Sequence, residues 1–311
     1  MNIIDKIRNV HLYGIKFKKL TQDWLLYKKH MVKESTYLNY NYMINLYLNK
    51  RFGNKRLNYF LEYNINEFVD KLENDNLSNK TIRDIILLLK SILKYAERKY
   101  NVNFKLELIS IPISKKRETK IFSEKEIKKI EDACEKSNDV RCIGILIAIY
   151  TGMRIGEICA LKWSNIDFNK KLINVEETLQ RVYLEKSKTK IIITPPKTKT
   201  SERKIPIPTA LYDKLKERSE LYSKKTYVIT GEEKYIEPRT FQHTYKKVLE
   251  TSKVKYRNFH CLRHTFATRC IKVGMDIKSL SEVLGHSNVN ITLNRYVHSS
   301  YETKKRFLER L

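Results

Sequence analysis

Apolar residues recur with helical spacing through most of the first third of the chain. The pattern predicts helices over Leu20–His30, Thr36–Leu48, Asn64–Asp75 and Ser78–Lys99. Ser35 and Ser78 stand where the N-caps of the second and fourth helices are expected, and Ile82, Ile85 and Leu89 lie on the apolar face of the fourth. Four such helices predict a compact helical bundle.

The helical pattern ends between Tyr100 and Ile121. The sequence from Ser110 onward, Ser-Ile-Pro-Ile-Ser-Lys-Lys-Arg-Glu-Thr-Lys, combines a proline with closely spaced charges, as an exposed linker does. We therefore expect a helical domain over residues 1–110, a linker over 111–121 and a second domain over 122–311.

The second domain mixes helices with short strands. Ser123 and Glu126 have the spacing of a capping box, and Val140–Tyr150 is so apolar that it predicts a helix buried on all sides. Strands are predicted over Leu172–Val175, Leu179–Leu184, Lys190–Thr194 and Arg203–Pro206. After Thr209 the pattern predicts helix to the end, interrupted by the apolar segment Tyr227–Ile229. The predicted fold class is mainly α with a small β-sheet: a helical N-terminal domain followed by an α+β domain.

Basic residues outnumber acidic residues in both predicted domains. The 311 residues include 62 Lys and Arg against 35 Asp and Glu, which gives a formal net charge of +27. An excess of this size indicates a polyanionic partner, and nucleic acid is the most common one. Ribosomal proteins and membrane-surface proteins share this balance, so charge alone does not identify the partner.

Cysteine usage and hydropathy indicate the compartment. The five cysteines are odd in number and contain no Cys-x-x-Cys pair, which argues against a disulfide framework and a four-cysteine zinc site. The N-terminus lacks the long apolar core of a signal peptide, and the most apolar run, Cys142–Met153, is too short to span a bilayer. We expect a cytoplasmic protein, associated with the nucleoid, that makes no membrane contact.

Two arginines in the second domain suit a phosphodiester substrate. The non-bridging oxygens of a phosphodiester gain negative charge in a five-coordinate transition state, and guanidinium groups match that charge with paired donors. Arg154 lies in Thr-Gly-Met-Arg-Ile-Gly-Glu, where the glycines permit a tight turn, and Arg263 lies in His-Cys-Leu-Arg-His. In so basic a chain, either arginine alone is more readily explained as a solvated surface charge.

Histidines and a tyrosine complete the set of candidate residues. His260 and His264 are four residues apart on a predicted helix, which is also the spacing of a metal-binding pair. Cys261 stands where a metalloprotease has Glu, and no third ligand cluster is evident, so we predict no metal site. We expect His264 to be structural. His286 lies in Leu-Gly-His-Ser-Asn, and Tyr296 follows ten residues later in Asn-Arg-Tyr.

The order of these motifs carries more information than any one of them. Thr-Gly-x-Arg-x-x-Glu, His-x-Leu-Arg-His, Leu-Gly-His and Arg-Tyr together resemble the tyrosine recombinase (phage integrase) family, and the likeness covers the whole second domain. The resemblance implies a helical core-binding domain and an α+β catalytic domain that close as a clamp around duplex DNA. It also implies that Arg154 and Arg263 bind the scissile phosphate, that His260 and His286 hydrogen-bond to it and assist proton transfer, and that Tyr296 attacks it.

Two further residues take roles from the resemblance. The family's catalytic lysine lies on a β-hairpin turn. We expect that hairpin between Lys190–Thr194 and Arg203–Pro206, where Pro-Pro-Lys-Thr-Lys supplies Lys197 as the candidate and Lys199 as the alternative. Glu157 matches a position that orients the first arginine, although a helix salt bridge explains it nearly as well. Because a covalent 3′-phosphotyrosine conserves the energy of the broken bond, we expect no ATP, other cofactor or divalent metal.

The resemblance favours a site-specific recombinase that cleaves and rejoins DNA through a 3′-phosphotyrosine intermediate and integrates or excises a mobile element. The main alternative is a chromosome-dimer resolvase or DNA invertase of the same family. A type IB topoisomerase-like enzyme and a non-catalytic DNA-binding regulator are weaker alternatives. The expected partners are double-stranded DNA with specific recombination sites, accessory DNA-bending proteins and three further copies in a homo-tetramer on DNA. Apolar residues in the tail after Tyr296 favour such an assembly, because they could dock on a neighbouring subunit.

Overall fold

A computed structural model of the chain describes residues 14–112, 120–185, 187–195, 202–296 and 309, with the backbone alone for 294–296. The chain divides into two compact units, one formed by 1–117 with 182–190 and the other by 118–181 with 191–311. Most of the expected linker, 111–121, lies outside the described residues, so the predicted domain limits stay a prediction.

The first unit is a helical bundle. Its helices are α1 (Phe17–Lys29), α2 (Glu34–Met43), α3 (Asn49–Phe52), α4 (Tyr59–Glu62), α5 (Asn66–Asn74) and α6 (Asn79–Tyr100), with a π-helical segment at Ile44–Leu48 and a 3₁₀ turn at Leu106–Leu108. Ser78 caps α6 as predicted, because its hydroxyl accepts a hydrogen bond from the Thr81 backbone N–H. The prediction of Ser35 as an N-cap is wrong. Helix α2 starts one residue before it, at Glu34, whose acidic side chain suits the positive end of the helix dipole.

The core of this unit follows the predicted apolar faces. Helix α6 buries Ile82, Ile85 and Leu89 against apolar side chains of α1 and α5, such as Trp24 and Phe68. Burial of this kind, at about 25 cal/mol for each Å² of apolar surface, dominates the stability of a small helical bundle.

The remaining elements lie along residues 124–296. They are α7 (Glu124–Glu135), α8 (Cys142–Thr151), α9 (Ile155–Ala160), β1 (Ile166–Asp167), β2 (Leu172–Val175), β3 (Thr178–Glu185), β4 (Lys188–Thr194), β5 (Arg203–Pro206), α10 (Thr209–Ser219), α11 (Pro238–Thr251), α12 (His260–Lys272), α13 (Ile277–Leu284) and α14 (Val289–Tyr296). Ser123 and Glu126 form the predicted capping box at the start of α7. The predicted fold class, mainly α with small β-sheets, is confirmed.

Helix α8 is the centre of the second unit. It packs against α7, α9, α10, α11 and α12, which explains why its sequence is apolar on every face. The helix ends at Gly152, which has φ = +64° and lies so close to the Phe266 ring that an added Cβ would stand 2.5 Å from it. Glycine is the residue suited to this position, and the turn it makes leads directly to Arg154.

The strands form two sheets. One is antiparallel with the order β1-β2-β5, in which Ile173 lies opposite Ile205, and the other pairs β3 with β4. The expected hairpin between Lys190–Thr194 and Arg203–Pro206 is therefore wrong. Strand β5 returns to β2 instead, because Ile205 and Ile173 are then buried together in the core of the unit.

The prediction of helix after Thr209 is wrong for residues 220–226 and 230–237, which flank the expected interruption at Tyr227–Ile229. Residues 220–237 form one non-helical segment. This segment passes back across the unit, where the Val228 N–H donates to the Leu161 carbonyl and the Trp163 N–H donates to the Thr226 carbonyl. The apolar segment Tyr227–Ile229 is therefore buried by pairing with another backbone segment. None of the described helices is long and apolar enough to cross a lipid bilayer.

Candidate active site

The carboxyl end of α13 is the point at which three arginines meet. The backbone carbonyls of residues 283–285 each accept a hydrogen bond from a different guanidinium. These bonds are Arg203 Nε to Val283 O at 2.6 Å, Arg263 Nη2 to Leu284 O at 2.7 Å and Arg154 Nη2 to Gly285 O at 3.1 Å. The end of a helix offers carbonyls without intrahelical partners and carries partial negative charge, and both features favour guanidinium groups.

Gly285 makes this arrangement possible. Its φ of +64° ends α13 in a left-handed turn, and a Cβ at this position would lie 3.0 Å from both Cδ and Nη1 of Arg203. The glycine thus allows the Arg203 side chain to pack directly against the turn that presents His286.

A buried carboxylate joins two of the arginines. Glu157 accepts hydrogen bonds from the Arg154 backbone N–H at 2.9 Å and from Arg154 Nη1 at 2.8 Å. Arg203 binds the same carboxylate in bidentate fashion, with Nη1 at 3.1 Å from one oxygen and Nη2 at 2.8 Å from the other. Paired contacts of this kind are the strongest that an arginine makes with a carboxylate.

The charge state of Glu157 follows from these contacts. Its side chain is 3% exposed, and burial alone would raise the pKa of the carboxyl. The charge and hydrogen bonds of Arg203, followed by those of Arg154, outweigh burial and lower the pKa to about 2. Glu157 is therefore ionised throughout the neutral pH range.

Arg263 lies deeper than Arg154. It is 2% exposed, and its Nη1 donates to the Gly152 carbonyl at 2.9 Å while Nη2 holds the end of α13. The guanidinium thus connects the carboxyl ends of α8 and α13, two helices that the chain separates by more than a hundred residues.

A cavity of about 590 Å³ lies beside the arginines. Its lining includes Arg154, Glu157, His260, Gly285 and His286. The Arg154 side chain lines this cavity and is 36% exposed. Its guanidinium is therefore accessible from the cavity while Glu157 and the Gly285 carbonyl hold it in place. The cavity is therefore concave, with a volume in the range of ligand-binding clefts and an arginine accessible in its wall.

Both cavity histidines have defined neighbours. His286 Nδ1 is 2.7 Å from the hydroxyl of Thr292, which is fully buried on α14. His260 begins α12, and the ring of His264 stands edge-on to it with centroids 4.6 Å apart. Within the described part of the chain, no three His, Cys, Asp or Glu side chains group as metal ligands.

The structure brings most of the predicted site residues together. Arg154, Glu157, His260 and His286 line one cavity, and Arg263 binds the Leu284 carbonyl, next to Gly285 of the same lining. Tyr296 is the last residue of α14, where only its backbone is described. Lys197 and Lys199 lie outside the described residues.

Sequence reasoning missed Arg203 and Thr292. Arg203 was assigned only to a strand, because nothing in its neighbourhood in the sequence marks its partners, which lie 46 and 80 positions away. Thr292 had one weak signal, a polar residue on a short helix six positions after a candidate histidine.

The two parts of the chain match two family models. Residues 120–303 match the phage integrase family, and residues 16–73 match the phage integrase N-terminal SAM-like domain. The chain belongs to the phage integrase family. It is a tyrosine recombinase, an enzyme that breaks and rejoins DNA strands, and the predicted family, enzyme class and DNA partner are confirmed.

Individual relatives agree with this assignment. The recombinase is 34% identical to a tyrosine recombinase XerC-like protein of Caldanaerobacter subterraneus subsp. tengcongensis, over 97% of this chain and 84% of the relative. It is 26% identical to the ICEBs1 integrase of Bacillus subtilis, over 90% of this chain and 78% of the relative. A solved structure of the Tn1549 transposon integrase with a circular intermediate DNA matches 96% of this chain and 100% of that one, with a TM-score of 0.76 at 20% identity, which shows a shared fold.

Proposed function

We propose that this recombinase integrates and excises a mobile DNA element at specific sites. In the proposal Tyr296 is the nucleophile, and Lys197 is the general acid, with Lys199 as the alternative. Glu157 is the orienting carboxylate. The phosphate ligands are Arg154, Arg263, His260 and His286. The accessory DNA-bending proteins and the cytoplasmic, nucleoid-associated location expected from the sequence belong to the same proposal.

The arginine cluster at the end of α13 is the observation that carries the chemistry. Three guanidiniums and one carboxylate leave two net positive charges at the end of α13, beside the cavity. A phosphodiester is a monoanion whose five-coordinate transition state approaches a dianion, so fixed positive charge stabilises the transition state more than the ground state. Because the helix end and Glu157 already hold these side chains, little reorganisation accompanies the reaction.

The proposed reaction consists of two balanced transfers. The Tyr296 oxygen bonds to phosphorus as the bond to the 5′ oxygen breaks, and Lys197 supplies the proton that makes this oxygen a hydroxyl. The cationic cluster favours the phenolate of Tyr296, and His260 can accept the phenol proton. A 5′-hydroxyl from the partner strand then attacks the phosphotyrosine and gives its proton to Lys197. The bond from phosphorus to the Tyr296 oxygen breaks, and His260 returns a proton to that oxygen, which restores the phosphodiester and the free tyrosine.

Mobile-element activity is supported by two of the similar proteins. The ICEBs1 integrase and the Tn1549 transposon integrase both belong by name to mobile elements, and the latter was solved on a circular intermediate DNA. We infer that this recombinase acts on the two ends of such an element. The sites themselves are expected in the DNA that flanks the gene.

An excision assay tests this function. The flanking DNA is sequenced, and both candidate ends are placed in direct orientation around a marker on a supercoiled plasmid. We expect purified protein to release a circle with joined ends, and to carry a covalent link to a 3′-phosphate during the reaction. Recombination restricted to inverted sites, or to identical sites on plasmid dimers, would support an invertase or resolvase instead. Relaxation of the plasmid without recombination would support a topoisomerase.

Assembly into a tetramer is expected because exchange between two duplexes needs four cleavages and each chain offers one Tyr296. Repulsion between chains of net charge +27 opposes assembly in free solution, and DNA phosphates neutralise it. The proposed docking tail, residues 299–311, lies outside the described residues apart from Glu309.

Deleting the residues after Ser300 should leave half-site binding within about twofold of wild type and abolish synapsis and recombination, because the tail supplies the contact between subunits. Gel-shift titration on one half-site and sedimentation of paired sites measure the two effects. Full recombination by the truncated protein would contradict the docking role of the tail.

Replacing Thr292 with valine should slow DNA cleavage about tenfold, because the hydroxyl that orients the His286 ring is lost while the side chain keeps its shape. Replacement with serine keeps the hydroxyl and should retain most of the rate. Single-turnover cleavage of a nicked suicide substrate measures both variants. Equal rates for the valine variant and wild type would remove Thr292 from the site.

A further inference from the structure

We propose that Arg203 is a positioning residue for DNA cleavage, which fixes the Arg154 guanidinium toward the cavity by holding Glu157 between the two arginines. The inference rests on the proposed role of Arg154 in binding the scissile phosphate. Arg203 acts through Glu157 and is not itself a ligand of the phosphate.

The Glu157 carboxylate is the bridge between the two arginines. Oε1 accepts from Arg154 Nη1 and Arg203 Nη1, and Oε2 accepts from the Arg154 backbone N–H and Arg203 Nη2. Arg203 thus supplies one hydrogen bond to each oxygen. Without it, each carboxylate oxygen would keep only its one hydrogen bond with Arg154, and the Arg154 side chain would be held less firmly.

Arg203 is itself held from two further directions. Its Nε donates to the Val283 carbonyl at 2.6 Å, and its Cδ packs against Gly285. These contacts use the forked shape of the guanidinium, because one edge binds the carboxylate while Nε binds the helix end. A lysine has the charge but cannot make both sets of contacts.

Exposure separates the roles of the two arginines. The Arg154 side chain is 36% exposed and lines the cavity, whereas the Arg203 side chain is 5% exposed. The described lining of the cavity includes Arg154 and Glu157 but not Arg203. Arg154 is therefore placed to meet substrate, and Arg203 is placed behind it.

Loss of Arg203 should make cleavage sensitive to acid. The groups around Glu157 are Arg154, which directly precedes α9, Arg203 on β5, the carbonyl end of α13, and Thr178 on β3 beside Gly156. Arg181, His260 and His286 line the same cavity. Burial favours the neutral carboxyl, and Arg203 is the main group that opposes it. With Arg203 replaced by an uncharged residue, the pKa of Glu157 should rise, and cleavage should fall as the pH falls through the raised value because a neutral Glu157 no longer pairs with Arg154.

The experiment compares Arg203→Met with wild type in single-turnover cleavage of a nicked suicide substrate at saturating protein, from pH 5.5 to 8.5. Taking the ratio of the two rates at each pH cancels titrations that both proteins share. We expect the ratio to be about 0.1 to 0.01 at pH 8.5, and to fall at least about threefold further by pH 5.5. Affinity for a half-site should stay within about threefold of wild type.

Three variants test whether the charge of Arg203 beside Glu157 causes the expected pH dependence of the rate ratio. Arg203→Lys should be slower than wild type but with a ratio independent of pH, because it keeps a positive charge beside Glu157. The double variant Glu157→Gln, Arg203→Met should also give a pH-independent ratio. Arg257→Met is the matched control, since it breaks another arginine–glutamate pair in the same unit, with Glu126 at 2.8 Å, and should leave the cleavage rate unchanged.

Several outcomes would overturn the inference. A ratio near one for Arg203→Met, or a loss of half-site affinity equal to the loss of rate, would show that Arg203 does not position Arg154. If Arg203→Met fails to fold, Arg203→Lys and Glu157→Gln carry the test, and cleavage by both within about twofold of wild type would refute the proposal. Arg154→Ala separates the positioning role from the phosphate-binding role: normal cleavage by that variant would refute the proposed role of Arg154 in binding the scissile phosphate. Loss of cleavage by Arg154→Ala alongside normal Arg203 variants would refute the positioning role alone.

Discussion

Replacing Tyr296 with phenylalanine should leave DNA binding within about twofold of wild type and abolish the covalent protein–DNA complex. In the proposed mechanism the phenolic oxygen is the atom that bonds to phosphorus, and phenylalanine removes it while the ring remains. Tyr296 ends α14, a helix that packs against α12 and α13, which carry His260, Arg263 and the arginine-binding carbonyls. A nicked suicide substrate, from which the cleaved end diffuses away, traps the adduct for denaturing gel electrophoresis.

Tyr301 provides the control for this prediction. Tyr301→Phe should form the adduct at the wild-type rate, because only one tyrosine is proposed to act as nucleophile. An adduct formed by the Tyr296 variant, or a covalent peptide that maps to Tyr301, would show that the nucleophile is a different residue.

Replacing Lys197 with alanine should slow cleavage by a factor of about 10²–10⁴, the usual cost of losing a general acid. The 5′ oxygen leaves as an alkoxide unless it is protonated, and Lys197 is the proposed proton donor. Strand cleavage in a single turnover, at a pH where wild type is fully active, measures the effect. DNA binding should change little, since one lysine among 62 basic residues contributes little to overall attraction.

A modified substrate distinguishes a lost proton donor from a damaged fold. A 5′-bridging phosphorothiolate has a leaving group that needs no proton, so it should restore cleavage by Lys197→Ala to within about tenfold of wild type. If the substrate instead restores a slow Lys199→Ala variant while Lys197→Ala is normal, the general acid is Lys199. Failure to restore either variant would remove both lysines from this role.

Several helices of both units were predictable because helix formation depends on spacing along the chain. The apolar face of α6, the Ser78 cap and the capping box at Ser123 all arise from residues within one or two turns of each other. The π-helical segment at Ile44–Leu48 was not predictable, because the apolar period of a helix is nearly unchanged by one wider turn.

The pairing of the strands was harder to predict from the sequence than their positions. The bounds of β2 and β5 agree with the sequence pattern, yet the partner of β5 was misassigned to β4. Alternation of apolar residues indicates a strand but does not choose among partners, and the choice was made by the shared burial of Ile173 and Ile205. The absence of helix in segment 220–237 likewise depends on a distant partner, because the backbone of this segment pairs with residues near Leu161 and Trp163.

The sequence by itself determined the family, the enzyme class and the identity of the candidate site residues, because each motif is short and its chemistry depends on residue type. Tertiary structure alone decided how those residues are held. Three arginines converge on the carbonyls that end α13, Glu157 is shared between Arg154 and Arg203, and Thr292 orients His286. The contacts of Arg203 span 46 and 80 positions of the chain. Local sequence preferences act over a few residues only. Contacts at such separations therefore form only when the packing of α8, α13 and β5 brings the ends of these elements together.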